Sequence, residues 1–303
     1  MTPILHHYEA SPFAELVRAA LGLKSMTWQS VIVSNILPKP GQAELTGGYV
    51  RTPVLQIGAD IYCDTAAILP ALEALQPEPT LYPAPLGVLH KVIANWAAGP
   101  QFLAHVGAAM GSMPAGALPQ SFIDDRKGRF GLDMTQLSKA TPHLTSQALT
   151  AAHWLDATLA DGRAFVGGDA PGHADLAFYA NVWFVRAIPF AKPTADAMFA
   201  HPNLAAWFEC MSALGHGSRS EIGEADAIAI ARAAAPMPGP DHVDAPFTAG
   251  QIVKVQTEGS GDLPVVGALV RLDPTGITLR REGAECGTVA VHFPRLGQMI
   301  SPA

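Results

Sequence analysis

Three short stretches near the start of the chain carry side chains able to hold a thiol and a carboxylate: Ser11 with Pro12 and Phe13, Thr52 with Pro53, and Asp64 with Thr65. Ser before Pro is the favoured way to open a helix, because Pro lacks an N–H that would be unsatisfied there and Ser accepts one that is not. A helix start presents free N–H groups and the positive end of a dipole, so a thiolate placed at Ser11 is stabilised relative to the thiol. A free thiol titrates near ~8.5, and each unit of lowering is worth about 1.4 kcal/mol. A hydrogen bond from a hydroxyl to the charged form supplies about one or two units. The same Ser-Pro pair is also what a plain helix cap looks like.

The elements that must position these groups are legible around them. The apolar run from Ile4 to Tyr8 reads as a strand feeding a helix whose apolar residues Phe13, Leu16, Val17, Ala20 and Leu21 recur at three and four. Val54 to Ile57 and Ile61 to Tyr62 read as strands about the turn Gly58-Ala59-Asp60. Pro53 donates no ladder bond, and a cis bond before it would turn the main chain of Thr52 toward a ligand. Asp64 and Thr65 open a further helix with the stripe Ile68, Leu69, Leu72 and Leu75, a second anion site suited to a carboxylate. Two helix openings and a free strand edge in one unit suit the groups that glutathione offers.

With these residues the chain resembles the glutathione transferase superfamily. The matching strings are His7-Tyr8-Glu9-Ala10-Ser11-Pro12-Phe13-Ala14-Glu15-Leu16-Val17-Arg18, Arg51-Thr52-Pro53-Val54-Leu55, and Asp64-Thr65. The resemblance covers residues 1 to about 235. It implies a thioredoxin-like α/β domain at 1–77 and an all-helical bundle at 85–235. It also implies Ser11 as the catalytic residue beside the sulfur, with Phe13, Thr52, Pro53, Asp64 and Thr65 binding glutathione as co-substrate. Thr52 then offers its main chain to the cysteinyl unit, and Asp64 with Thr65 meets the γ-glutamyl end. Relatives working through mixed disulfides carry Cys where this chain has Ser11, and many others keep one where it has Ala14, so thiol exchange through this loop is not expected. Tyr8 is the other hydroxyl on the first strand, the type some branches use on the sulfur. The implied activity is transfer of alkyl or aryl groups to the glutathione thiol by a homodimer that pairs one subunit's N-terminal domain with the other's helical domain. The alternative is a glutathione-binding or protein-interaction module on the same fold.

The rest of the chain limits these options. At 303 residues and 49% hydrophobic it can bury a large core. A net charge of −7 gives no footprint for nucleic acid. Neither a basic leader followed by an apolar core nor a run of membrane-spanning length is visible, which makes the cytoplasm the expected place. Cys63, Cys210 and Cys286 lack the spacing of a disulfide framework or zinc site and read as buried small residues. The histidines show no metal-binding spacing, and His6 and His7, adjacent on a strand, are expected on opposite faces, one buried and one exposed. No metal is expected.

Past Pro77-Glu78-Pro79 the pattern becomes helical: Leu89, Val92, Ile93, Trp96 and Ala97, then Leu144, Leu149, Ala152, Leu155 and Leu159. Trp96, Phe102, Met110, Met113, Trp183 and Phe184 are apolar bulk for a co-substrate pocket or for plain core. Gly172 and Asp175 resemble the cap of the family's central buried helix, with Asp175 in a folding role. A terminal surface helix is expected over Ala225 to Ala235. After Pro236-Met237-Pro238-Gly239-Pro240, four strands over Gln251–Val255, Val265–Leu272, Gly276–Arg281 and Thr288–Phe293 predict a small all-β appendage at 241–303. It is expected to be barrel-like and docked on the helical domain. Its distinctive string is His292-Phe293-Pro294-Arg295-Leu296-Gly297, where Arg295 is expected to pair with a carboxylate.

Overall fold

The computed structural model describes residues 1–239 and 242–303, so the expected start of the third segment at 241 lies outside the described residues. The first part runs β1 (Ile4–His7), α1 (Pro12–Leu23), β2 (Thr27–Ile32), α2 (Pro40–Thr46), β3 (Val54–Ile57), β4 (Asp60–Cys63) and α3 (Thr65–Leu75). β1 pairs in parallel with β2 and antiparallel with β3, which pairs antiparallel with β4 about the expected turn. The sequence predicts this thioredoxin-like unit correctly.

The helical part comprises α4 (Leu89–Trp96), α5 (Phe102–Met110), α6 (Gln120–Phe130), α7 (Met134–Leu159), α8 (His173–Ala187), α9 (Lys192–Phe199) and α10 (Pro202–Ser212). Its apolar faces and those of α1 and α3 form one continuous core that includes Leu16, Val17, Ile68, Leu72, Ala148, Leu155, Leu176 and Val185. The close approach of α1 to the turn after α10 depends on Gly22, since a Cβ there would lie 2.1 Å from the Gly215 carbonyl oxygen. α8 starts as expected. The buried Asp175 carboxylate accepts from Gly172 N at 3.0 Å, Val166 N at 2.8 Å and Trp207 Nε1 at 3.0 Å, tying helix start, preceding loop and α10 together.

The chain then returns to the sheet. β5 (Ser218–Glu221) adds in parallel beside β2, and α11 (Glu224–Ala233), the expected surface helix, packs Ala227 and Ala231 inward. β6 (Ile252–Thr257), β7 (Val265–Asp273), β8 (Gly276–Gly283), β9 (Gly287–Phe293) and β10 (Gln298–Pro302) follow, one strand more than the sequence predicts. They do not close into a barrel on the helical domain. β9 pairs in parallel with β4, giving a single sheet in the order β10-β6-β7-β8-β9-β4-β3-β1-β2-β5.

The reason is an apolar face that runs across the junction. Val253, Val255, Leu279, Val289, Val291 and Phe293 continue the side on which Val54, Ile61 and Cys63 meet Leu45, Tyr49 and Ala231. On the opposite side, His292 Nε2 lies 2.9 Å from Asp60 Oδ1, its Nδ1 lies 3.0 Å from Thr278 Oγ1, and its ring stacks on Tyr62 at 4.4 Å. Arg295 donates to the Gln298 carbonyl at 3.5 Å, not to a carboxylate. Two further expectations change. His6 and His7 are both buried, bonded to Gln56 and Ser30, because α1 and α11 cover both faces of β1. Cys210 is exposed on α10, whereas Cys63 and Cys286 are buried.

Candidate functional site

The sheet brings the sequence-predicted residues to one end. β1 ends toward Ser11, β3 begins just after Thr52 and Pro53, β4 ends just before Asp64, and the segment that follows β2, parallel to β1, carries Lys39. Since β4, β3 and β1 are neighbours in the sheet, Asp64, Thr52 and Ser11 stand in a row, and Lys39, on the segment after β2, reaches back to Thr52. Adjacent strands lie about 4.8 Å apart, so the row has the length of a short extended peptide.

Ser11 is the N-cap of α1, with extended backbone, and its Oγ accepts from Ala14 N at 3.2 Å while its carbonyl accepts from Glu15 N. The side chain is buried, at 1% exposure. Its hydroxyl proton and the Phe13 N–H are the donors of this first turn without a protein acceptor among the described residues, Pro12 having no N–H. The half-buried Phe13 ring packs on Phe102 of the helical part at 4.5 Å. Beneath the turn, Arg18 is fully buried, donating to Glu15 Oε2 at 2.7 Å and to the Glu9 carbonyl at 2.9 Å. Glu15 also meets His216 Nε2 at 3.0 Å and Tyr179 Oη at 3.3 Å. Burial works against the Glu15 charge, but His216 and Arg18 hold its pKa below the ordinary value. This network pins the opening of α1 to α8 and to the turn after α10.

The Thr52–Pro53 peptide is cis. Thr52 stands beyond the β1–β3 ladder, and its own N–H and C=O have no protein partner among the described residues. Its hydroxyl accepts from Lys39 Nζ at 2.5 Å. Lys39, which sequence reasoning missed, is buried, and its ammonium lies 5.8 Å from the centre of the Tyr8 ring. Burial, with Arg129 and Arg126 adding repulsion, pushes its pKa down to about 7. The only sequence signal for it is the Lys-Pro pair at the start of α2.

Asp64 caps α3 from a left-handed backbone (φ 79), accepting from Ala66 N at 2.9 Å. Burial raises its pKa, against the Ala66 N–H and the Arg51 guanidinium, which favour the charge. Thr65 follows at the first helical position, half-buried. Cys63, one residue before, faces the core, where burial pushes its thiol well above the ordinary value. No cluster of three metal-ligating side chains gathers among the described residues, and no helix among them is long and apolar enough to cross a membrane.

Residues 5–80 match the glutathione S-transferase N-terminal domain, and residues 138–210 the glutathione S-transferase C-terminal domain. A GST-like protein from Pseudomonas syringae, known from a crystal structure, is 35% identical across 100% of this chain and 99% of its own, with a TM-score of 0.79. A glutathione S-transferase of Ceriporiopsis subvermispora, crystallised with glutathione, is 17% identical over 71% of this chain and 98% of its own, with a TM-score of 0.57. A Tau class enzyme from mango is also 17% identical, over 70% of this chain and 89% of its own, at a TM-score of 0.53. The latter two share the fold. No curated protein matches. The chain therefore belongs to the glutathione S-transferase superfamily, and its likeness to the Pseudomonas protein runs through the C-terminal strands.

Proposed function

We propose that the chain is a glutathione transferase that holds glutathione across Asp64, Thr52 and Ser11, with Lys39 beside Thr52, and delivers its thiolate to a small electrophile. The observation that carries this reading is the unpaired main chain of Thr52, flanked by the helix openings at Ser11 and Asp64. In this arrangement the cysteinyl unit pairs with the Thr52 backbone as an added strand. The γ-glutamyl carboxylate meets the opening of α3 at Thr65, and its ammonium supplies the cation that favours ionised Asp64. Pro53 sets the start of β3 beside the cysteinyl unit. The glycyl carboxylate falls toward Lys39, whose charge it restores.

At the sulfur, the Ser11 hydroxyl gives its lone pair to Ala14 N and keeps its proton for the thiolate, joined by the Phe13 N–H and the dipole of α1. The ionised sulfur then attacks the electrophile, forming the carbon–sulfur bond as the leaving group departs or the electrophile's acceptor atom takes the electron pair. Tyr8 is the weaker candidate for the hydroxyl, because its ring face is turned to the Lys39 ammonium. Ser11→Ala is expected to lower kcat/KM with an aryl halide about tenfold, or 1.4 kcal/mol, with Tyr8→Phe near wild type. Damage confined to Tyr8→Phe would reassign the role, and glutathione binding without turnover of any electrophile would favour a binding module.

The working unit proposed is a cytoplasmic homodimer, in which the segments expected at 1–77 and 241–303 share one sheet with β5 from the segment expected at 85–235. Val88, Leu89, Val92 and Trp154 are exposed apolar residues of the helical part. Of these, Trp154 lines a groove of about 430 Å³ with Ile93, Trp96, Leu155 and Phe178, and an exposed apolar face of this kind is what an obligate partner covers. Light scattering that returns a monomer at micromolar concentration would remove this element.

A further inference from the structure

The ligand-handling groups do not stop at Lys39. α6 lies across the loop that carries Lys39: Asp125 Oδ1 accepts from Leu37 N at 3.0 Å, and Arg126 Nη2 donates to the Asn35 carbonyl at 2.8 Å. The C-terminal extension then reaches the same place through its β6–β7 loop. Gly261 N donates to the Arg129 carbonyl at 3.1 Å, and one carboxylate, Asp262, receives Arg129 Nε at 2.7 Å and Arg51 Nε at 2.9 Å. Arg51 directly precedes Thr52. Ser260 Oγ donates to the same carboxylate at 2.8 Å, so the loop is itself braced.

The charges of this cluster do not cancel. Lys39, Arg51, Arg126 and Arg129 face three carboxylates, Asp125 and Asp262 within the cluster and Asp64 on the side of Arg51. Arg129 is 6% exposed, and its Nη2 has no hydrogen-bond partner among the described residues. A buried guanidinium nitrogen without an acceptor is costly, and buried positive charge beside the unpaired main chain of Thr52 calls for an anion. A carboxylate is the planar acceptor that a guanidinium and an ammonium hold together.

We infer that the β6–β7 loop is a wall of the cleft, and that Asp262 is a positioning residue that sets Arg129 beside Lys39 as receptor for the ligand's terminal carboxylate. This rests on the glutathione reading above. It gives the C-terminal extension a share in selecting a tripeptide thiol with a free C-terminus, through a residue more than two hundred positions from Ser11 in the chain.

The test compares glutathione with its glycyl monoethyl ester, which differs at that carboxylate, by titration calorimetry on the full chain. Wild type is expected to prefer glutathione about tenfold, or 1.4 kcal/mol. Asp262→Asn and, independently, Arg129→Gln are expected to abolish the preference by weakening glutathione while leaving the ester as in wild type. In turnover, KM for glutathione rises and kcat stays. Ester binding serves as the fold check in each variant. Retained preference in Arg129→Gln, equal weakening of both ligands, or loss of ester binding in both variants would overturn the inference while leaving the glutathione reading intact. Failure of wild type to bind either ligand at millimolar concentration would overturn the glutathione reading and, with it, this one.

Discussion

The two halves of the long sheet are built from similar strands and handle their ends differently. In the N-terminal half, β1 and β4 run into helices, so the strand ends are lined with N–H groups, caps and buried charges. In the C-terminal half, β6 to β10 join through turns, and the side chains at the strand ends satisfy one another, as where Asp273 accepts from Thr275 N at 2.7 Å and Arg271 Nε at 2.6 Å. A strand that feeds a helix leaves donors for a ligand, whereas a hairpin uses its own. The β6–β7 loop is the exception, since it spends its carboxylate on two arginines at the other half's site.

Acid is expected to give the largest contrast. Burial holds His6 at about 4, and burial with Arg18 holds His7 at about 3, both on β1, while His105 and His173 in the helical part stand at about 4 and about 3 for the same reason. Because the folded pKa values lie below the unfolded value of about 6.5, the unfolded chain takes up protons first. Stability is full above that value and falls as pH drops toward 3, by about 1.4 kcal/mol per pH unit for each histidine titrating. If the sheet is one cooperative unit, circular dichroism will show both halves melting together between pH 6.5 and 4. Two separated transitions would break the picture of a continuous sheet.

Next in size is the packing of α1. Gly22→Ala drives a Cβ into the Gly215 backbone and is expected to cost about 3 kcal/mol. Gly297→Ala, in the extension, meets open space at φ 78 and is expected to cost about 1 kcal/mol. Urea midpoints that ranked them the other way would show that the extension is the more tightly built half. Smaller in reach is His292→Ala at the β4–β9 junction, which removes the contacts to Asp60, Thr278 and Tyr62. A loss of about 1.5 kcal/mol is expected. An unchanged denaturant midpoint would mean that the apolar face alone holds the halves together.

Much of this was legible in the sequence because local signals carried it. Ser11-Pro12, Thr52-Pro53 and Asp64-Thr65 mark helix starts and a strand start by their own chemistry, and Gly172 with Asp175 marks another. Lys39 and Arg129 left no comparable trace. Each is a cation in a polar stretch until α6 and the β6–β7 loop fold over it, and that depends on contacts between residues far apart in the chain. The placement of the extension was misread for a related reason. Alternation along Val253 to Val255 and Val289 to Phe293 fixes that these strands have one apolar face, but not which partner covers it, and a barrel satisfies the pattern as well as a longer sheet. For His6 and His7, alternation is obeyed, and both rings are buried because the sheet is covered on both sides.

Both rims of the first four strands are closed by segments that leave the ribosome late: β5 covers β2, and β9 covers β4. Until those residues are made, the nascent N-terminal unit has open hydrogen-bonding margins on either flank. The folded sheet moves its margins outward to β5, guarded by Arg219 and Glu221, and to β10, which ends at Pro302. Synthesis through β9, more than emergence of the first four strands, is thus what removes the hazard of strand-to-strand aggregation at these rims.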